Sequence, residues 1–310
     1  MVNRKIINAI DWRKEHYKKK YYKFYWKVKR FFDFSKKEKI NSISVVVVGR
    51  NDNYGGDFSE RLRTILDWNL SILPNPELIY VEWNQVENRT SDCDWITKRY
   101  KNTKCYIVPK KIHDTITTNN KMPVMEYFGK NVGIRKATND WILLLNADIL
   151  LDLKTIKDIK KGLSSKYVYG THYNNIKWNK ELISSDFLSN KDIVLNYFPA
   201  NKILQSVVGN MILTHKNNWF LGTGYDERLT NVRAGVDENG KNNLLAKGIK
   251  PMLIGNHYHL DHAESMIYGR NDTHGFNKFN NLPYTNNNNW GLFDLKETLI
   301  KEKIWKLEKI

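Results

Sequence analysis

Cysteine is nearly missing from this sequence, which has only Cys93 and Cys105 among its 310 residues. Two thiols cannot build a disulfide framework, and these two lie too far apart in sequence for the close CxxC pair of a zinc or redox site. A chain of this size with so few cysteines is typical of a reducing compartment. We therefore predict a cytoplasmic protein.

Long apolar runs and the common glycine motifs are missing as well. No stretch approaches the roughly 18 apolar residues that a membrane-spanning helix needs, and the N-terminus lacks the short apolar core of a secretory signal. Neither the glycine fingerprint of dinucleotide sites nor a P-loop consensus occurs. We expect a chain that does not cross a membrane by itself and does not bind nucleotides through those two motifs.

Acidic residues are scarce, with 33 Asp and Glu against 50 Lys and Arg, so the formal net charge is +17. Residues 1–39 hold fourteen of the basic residues and only four acids, interleaved with aromatic side chains. This pattern suits an anionic membrane surface. Nucleic acid is disfavoured, because no zinc-finger spacing, RNP-like strand or basic-zipper heptad accompanies the charge. A solvated lysine-rich leader is the alternative.

Strand-like apolar runs alternate with helical patterns over most of the chain. Residues 43–48 form a β-branched run typical of strands buried on both faces. Further strands are predicted at 78–83, 104–108, 141–145, 167–171, 207–214 and 252–254, and helices at 58–73, 124–138, 153–163 and 236–247. The order predicts parallel crossovers, and hence an α/β fold with a single, Rossmann-like, mostly parallel central sheet flanked by helices.

Composition divides the chain into three parts. Residues 1–39 predict a basic, aromatic, helical extension, and residues 40–270 carry the alternating pattern of a catalytic domain. Residues 271–310 begin with an asparagine-rich stretch, predicted to be a flexible loop or lid over 277–289. They end in apolar residues at helical spacing, which predict a C-terminal amphipathic helix.

The apolar run at 141–145 ends abruptly in Asn146, Ala147 and Asp148. In open parallel sheets, ligands bind outside the carboxyl ends of the strands, where this polar triplet falls. A divalent cation with oxygen ligands neutralises a diphosphate leaving group, and Asp148 is a natural ligand for it. The alternative is a strand-end turn held by the hydrogen bonds of its own side chains.

Residues 130–148 resemble the central segment of family-2-like glycosyltransferases with the A-type nucleotide-sugar fold. In that family an Asn-x-Gly-x-x-x-Ala pattern, a turn and an apolar strand precede a triplet with two acids, and Asn146 replaces the first acid here. The resemblance implies transfer of a sugar from a nucleoside-diphosphate sugar to a hydroxyl of a glycan or glycolipid acceptor, with Mn²⁺ or Mg²⁺ as cofactor. It implies nucleotide-sugar binding by Arg50, Asn51, Asp52, Glu82, Asn131, Arg135 and Asn146.

The segments 224–227 and 235–238 resemble the acceptor half of the same transferases. A carboxylate beside the donor is the usual general base for an acceptor hydroxyl, so the resemblance implies catalytic roles for Asp237 and Glu238, with Asp226 as a substitute. Acids at a helix N-terminus also occur for structural reasons, because they interact favourably with the helix dipole.

Residues 257–262 spell HxHxDH, the zinc motif of metallo-β-lactamase-like hydrolases. Those enzymes draw more ligands from a long downstream region, whereas His274 is the only later histidine here. The transferase resemblance implies instead that His259 and His262 complete the metal site with Asp148. Purely structural histidines, a zinc hydrolase, a sugar-1-phosphate nucleotidyltransferase and a non-catalytic membrane- or glycan-binding module are the alternatives.

Overall fold

The computed structural model of the protein describes residues 21, 24–119, 121–178, 209–231, 236–262 and 282–309. Within these residues, one sheet contains β1 (Ile43–Gly49), β2 (Pro76–Trp83), β3 (Thr103–Val108), β4 (Trp141–Leu145), β5 (Ile149–Leu151), β6 (Tyr167–Lys177), β7 (Met211–His215), β8 (Lys250–Asp261), β9 (Lys296–Lys301) and β10 (Ile304–Glu308). The helices are α1 (Phe58–Ile72), α2 (Asp92–Arg99), α3 (Lys110–Ile116), α4 (Glu126–Lys136), α5 (Leu153–Lys160), α6 (Lys216–Gly222) and α7 (Asp237–Ala246), with a short 3₁₀ turn at Tyr54–Gly56. A further N-terminal helix covers residues 24–31.

The strand order is β5-β8-β6-β7-β4-β1-β2-β3-β10-β9. Strands β4, β1, β2 and β3 are parallel neighbours, and β7 turns the sheet antiparallel beyond β4. The predicted α/β fold with a parallel central sheet flanked by helices is therefore confirmed, although the sheet is mixed towards both edges. The chain runs outward through β1, β2 and β3 and then returns to place β4 on the other side of β1. That reversal creates a switch point, where α/β proteins bind ligands.

Close contact between α4 and β1 depends on two glycines of α4. Gly129 and Gly133 lie one helical turn apart on the face of α4 that meets β1. A Cβ atom at Gly133 would lie 2.2 Å from Cγ1 of Val46, and one at Gly129 would lie 2.6 Å from Cγ1 of Val48. Only glycine permits this approach, so the glycine of the Asn-x-Gly pattern has a packing function.

The predicted C-terminal helix is wrong, because residues 296–308 form the hairpin of β9 and β10. Strand β10 pairs with β3 in parallel, and Trp305 stacks on Tyr106 with ring centroids 5.4 Å apart. Leu307 is buried while Leu299 is 60% exposed, so the apolar residues do not share one face. Backbone pairing with the open edge of β3 has overridden the helical spacing, as tertiary context often does.

The described part of the asparagine-rich stretch, residues 282–289, is held in place by hydrogen bonds. Asn286 is 8% exposed, and its Nδ2 donates to the carbonyl oxygens of Thr223 and Tyr225 over 2.7 and 2.6 Å. This part of the stretch is therefore anchored to the turn after α6. Residues 277–281 of the predicted lid lie outside the described residues.

The second half of the predicted N-terminal extension packs on the α/β domain that follows it. Residues 24–31 are helical, and Trp26 on that helix is 2% exposed. Lys29 Nζ donates to the carbonyl oxygen of Pro251 over 3.0 Å, and Arg30 pairs with Asp158 over 3.0 Å. Residues 1–20 lie outside the described part. No helix in the described ranges is long and apolar enough to span a bilayer.

Candidate metal centre and nucleotide edge

Asp148, His259 and His262 form a compact group whose potential ligand atoms all lie within 4.8 Å of one another. Nε2 of His259 lies 3.3 Å from Oδ2 of Asp148, and Nε2 of His262 lies 3.4 Å from the same oxygen. Asp148 lies between β4 and β5, His259 is on β8, and His262 directly follows β8. The three predicted metal-binding residues are therefore brought together.

Pairing between β5 and β8 explains why residues more than a hundred positions apart meet. Ile149 is directly opposite His259 in the antiparallel register, and the backbone N–H of Leu260 donates to the carbonyl oxygen of Asp148 over 2.8 Å. The sequence predicted a strand at 252–254 only. Strand β8 is far longer and carries His257 and His259 within it.

His259 is oriented by a neighbour that the sequence did not mark. Its Nδ1 lies 3.1 Å from Oδ1 of Asn175, so Nδ1–H donates to that amide oxygen and Nε2 is directed at Oδ2 of Asp148. The ring of Tyr173 stacks on the same imidazole at 5.8 Å. A metal-binding histidine is usually fixed in this way by a hydrogen bond from its other ring nitrogen.

The electrostatics of the group favour a cation. Burial by itself would raise the pKa of the Asp148 carboxyl, but the charges and hydrogen bonds of His259 and His262 hold it well below its usual range. Burial would likewise lower the pKa of His259, and Asp148 raises it instead. Asp148 thus stays ionised, and a divalent cation binding here would displace the proton that Asp148 favours on His259.

Two buried atoms of the group have no hydrogen-bond partner among the described residues: Oδ1 of Asp148 and Nδ1 of His262. An unpaired carboxylate oxygen beside two imidazoles is the kind of donor atom that a divalent ion coordinates. Imidazole suits transition metals better than Mg²⁺, and carboxylate suits Mn²⁺. The residues therefore fit a divalent metal ion.

His257, the first histidine of the HxHxDH segment, is engaged elsewhere. Its Nδ1 lies 2.5 Å from Oγ1 of Thr171 and its Nε2 lies 3.2 Å from Nδ2 of Asn210, so both ring nitrogens are occupied. The residue is fully buried, and burial lowers its pKa to about 3. A neutral histidine with both nitrogens paired is a structural one, which disfavours the zinc-hydrolase interpretation.

Asn146 is held by a buried lysine that sequence analysis missed. Lys130 on α4 is 1% exposed, and its Nζ donates to Oδ1 of Asn146 over 2.7 Å and to the carbonyl oxygen of Gly209 over 3.3 Å. Glu126 pairs with the same ammonium over 2.8 Å. The amide oxygen of Asn146 therefore accepts a hydrogen bond from this ammonium. Asp148 is the only acid of the triplet and supplies its only carboxylate. Lys130 directly precedes the Asn of the motif, which was the one available signal.

Four predicted nucleotide-binding residues lie together at the carboxyl ends of β1 and β2, where Gly49 is opposite Glu82. Arg50 donates to Asp52 over 2.7 Å and through Nε to the carbonyl oxygen of Asn84 over 2.7 Å. Asn51 is 5% exposed and its Nδ2 donates to three carbonyl oxygens of residues 86–90. Asn51 therefore shapes this edge, and Arg50 and Asp52 remain partly accessible.

Glu82 is fully buried at the same edge. Its Oε2 accepts hydrogen bonds from Oγ of Ser91 and, over 3.3 Å, from the backbone N–H of Cys93. Its Oε1 has no partner in the described part of the chain. Burial, with the nearby charge of Asp92, outweighs these hydrogen bonds and raises the pKa of Glu82 to about 7.

We expect Glu82→Gln to raise the melting temperature at about pH 8.5 and to leave it unchanged at about pH 5. Because the folded-state pKa is above the unfolded value, the stabilising contribution of Glu82 is fully present below about 4.5 and is lost as the pH rises through 7. The loss is about 3 kcal/mol. Glutamine keeps the shape without the charge.

Glu87→Gln is the matched control, since Glu87 is exposed on the loop that follows β2. Thermal unfolding followed across this pH range tests the prediction. Parallel pH profiles for wild type and Glu82→Gln would contradict the raised pKa.

Asn131 and Arg135 make contacts within the protein, and their predicted contacts with a nucleotide stay a prediction. Asn131 is fully buried, and its amide bonds the N–H and C=O of Tyr225 and the carboxylate of Glu227 over 2.8–3.0 Å. The guanidinium of Arg135 lies 4.1 Å from the ring centroid of Phe293 and donates to a backbone carbonyl at residue 288. These contacts tie α4 to the turn at 224–227 and to the C-terminal segment.

The predicted catalytic acids lie at the start of α7. The side chain of Asp237 lies outside the described residues, and the carboxylate of Glu238 is paired with Lys241. Asp226, the substitute, is 1% exposed and fully engaged by Arg228. Asp226 is therefore a structural acid, and the assignment of Asp237 and Glu238 stays a prediction.

No protein-family model and no curated relative matches the chain. Among solved structures, it is similar to S. aureus TarS, with TM-score 0.42 and 12% identity over 71% of this chain and 37% of that chain. TarS residues 1–349 in complex with UDP-GlcNAc give TM-score 0.45 and 13% identity, over 74% and 61% of the two chains. The mannosyltransferase PcManGT from Pyrobaculum calidifontis, in complex with GDP-Man and Mn²⁺, gives 0.46 and 12%, over 79% and 65%.

One of these neighbours, PcManGT, is a mannosyltransferase, and residues 130–148 of this chain resemble glycosyltransferases. The chain spans between 37% and 65% of the length of the structures compared. With every TM-score below 0.5, the likeness transfers no residue role, and the site is interpreted from its own contacts.

Proposed function

We propose that the protein is a metal-dependent glycosyltransferase that moves a sugar from a nucleoside-diphosphate sugar to a hydroxyl of a glycan or glycolipid. The observation that carries the proposal is the group of Asp148, His259 and His262 at the carboxyl end of β4. It lies beside the sheet's switch point, where ligands bind in this class of fold. The polar residues at the carboxyl ends of β1 and β2 lie next to this group, because β1 is the neighbour of β4 in the sheet.

The three residues would hold Mn²⁺ or Mg²⁺, and the bound ion would neutralise the charge on the diphosphate leaving group. Asp148 supplies the anionic ligand, and Asn175 keeps the Nε2 of His259 directed at the site. Lys130 places a fixed positive charge beneath Asn146, next to the same corner.

Residues at the ends of β1 and β2 would orient the nucleoside: Arg50, Asn51, Asp52 and Glu82. The acceptor oxygen would attack the anomeric carbon as the bond to the diphosphate breaks, and the diphosphate would leave with the bonding electrons. The proton of the acceptor hydroxyl would pass to a carboxylate, for which the start of α7 offers Asp237 and Glu238.

We place this activity in a reducing, cytoplasmic setting. Cys93 and Cys105 are both buried and both free thiols. Cys93 lies in α2 and Cys105 in β3, and burial raises the pKa of the Cys93 thiol. Only two cysteines among 310 residues, both of them buried, fit a compartment in which disulfides do not form.

A melting-temperature screen of UDP- and GDP-sugars, with and without Mn²⁺, tests the proposal. We expect stabilisation only when a nucleotide sugar and the metal are present together, of about 2.7 kcal/mol when the ligand is at about 100 times its Kd. A nucleoside triphosphate that stabilises more strongly than any nucleotide sugar would favour the nucleotidyltransferase alternative. Stabilisation by Zn²⁺ alone would favour the hydrolase, and no response to any donor would favour a binding module.

A further inference from the structure

Four phenylalanine side chains near the N-terminus are left exposed by the fold. Phe24 is 66% exposed, Phe31 79%, Phe32 62% and Phe34 90%. Single exposed apolar residues are normal on proteins, but a cluster of this size marks an interaction surface. We call residues 24–37 the aromatic surface.

The aromatic surface is held rigidly. The same helix buries Trp26, and Lys29 and Arg30 bond the domain beneath it. Asp33, between the exposed phenylalanines, accepts a hydrogen bond from the hydroxyl of Tyr167 over 2.9 Å. The phenylalanines therefore face solvent, because Trp26, Lys29, Arg30 and Asp33 hold the other side of the segment against the domain.

Positive charge surrounds these rings. Lys27, Lys36 and Lys37 on the aromatic surface are exposed, and Lys166 and Lys250 face them from the starts of β6 and β8. Between the two sides lies a cleft of about 510 Å³ lined by Phe32, Phe34, Ser35, Tyr167 and Ile249, with the two lysines at its rim. The hydroxyl of Ser35 is buried there and has no partner among the described residues.

We propose that the aromatic surface docks on an anionic phospholipid bilayer, with the phenylalanines at the boundary of the acyl chains and the lysines at headgroup phosphates. Exposed aromatic rings flanked by lysines are the combination that binds such an interface. A second copy of the chain fits less well. A symmetric interface would place Lys27, Lys36 and Lys37 against the same residues of the partner, and like charges repel.

The surface lies far from the metal centre. Lys250 begins β8 and His259 is nine residues further along it, which corresponds to about 30 Å of extended strand. The docked protein would therefore keep its metal centre away from the lipid headgroups. The surface can also be altered without touching any proposed site residue, so this inference goes beyond the proposed function and is tested separately from it.

The test is sedimentation of the full chain with phosphatidylcholine vesicles, either pure or with about 30% phosphatidylglycerol. We expect binding to the mixed vesicles to exceed binding to pure phosphatidylcholine by at least about tenfold. Replacing Phe31, Phe32 and Phe34 together by serine should lower binding to the mixed vesicles by at least about tenfold. A thermal melt confirms that the variant is folded.

Leu299→Ser combined with Ile300→Ser is the matched control, since both side chains are exposed apolar residues on β9, at the opposite edge of the sheet. This control should bind vesicles as wild type does. Equal binding by the phenylalanine variant would overturn the proposal, as would a wild type without preference for anionic vesicles. So would a dimer that the same substitutions dissociate, or tight binding of single-stranded RNA with none of lipid. The assay contains no sugar donor, so its failure leaves the transferase proposal intact.

Discussion

Asp148→Asn is expected to lower metal-dependent sugar transfer by more than about 100-fold. Asp148 is the only carboxylate in the metal group of the described residues. Changes to residues that merely support metal ligands cost about 10–100-fold in affinity or activity, so loss of the anionic ligand should cost more. Asparagine keeps the shape of the side chain and removes its charge. Turnover measured across a Mn²⁺ titration, with a chelator as the zero point, provides the readout.

Two further variants give the expected intermediate effect and the expected absence of an effect. Asn175→Ala removes the hydrogen bond that orients His259, so it should weaken apparent Mn²⁺ affinity by about 10–100-fold and recover activity at high metal concentration. Asp140→Asn changes an exposed acid just before β4 and should leave turnover unchanged. Full activity of Asp148→Asn, or wild-type activity that resists a chelator, would refute the metal centre.

Trp26→Ala is expected to lower the free energy of unfolding by about 3–5 kcal/mol. Trp26 is among the largest fully buried side chains of the described residues and lies within the main hydrophobic core. Its removal leaves a cavity beneath the N-terminal helix that surrounding side chains cannot fill. Urea unfolding followed by fluorescence of the remaining tryptophans measures the change.

Phe34→Ala is the matched aromatic control. Phe34 is 90% exposed, so its removal should change stability by no more than about 0.5 kcal/mol. Equal stability of Trp26→Ala and Phe34→Ala would show that the N-terminal helix is not docked. The contrast also matters for deletion experiments, because removing residues 1–39 takes a core tryptophan away together with the basic charge.

The sequence predicted the parallel core well because its signal is local. Strand β1 is a β-branched run buried along its whole length, and β4 is apolar and fully buried. The C-terminal hairpin was not predictable in the same way. Its apolar residues match a helical period, and only the free edge of β3, almost two hundred positions away, makes β10 a strand.

The candidate site also has residues that the sequence could identify and residues that it could not. Asp148 was identifiable because a polar triplet after an apolar strand must lie at the ligand-binding edge of a parallel sheet. Among the three histidines of residues 257–262, the assignment of His259 and His262 followed from the family resemblance. The contacts of His257 with Thr171 and Asn210, which remove it from the metal group, could not be read from sequence.

The sequence by itself determined the strands of the core, the position of Asp148 at the end of β4, and the basic and aromatic character of the N-terminus, since these depend on residue type and local spacing. Tertiary structure decided which histidines meet Asp148, because that depends on the register of β5 against β8. It also decided that Lys130 supports Asn146. Finally, it decided which aromatic residues of the N-terminus are buried and which are exposed, because that depends on the surface against which their helix packs.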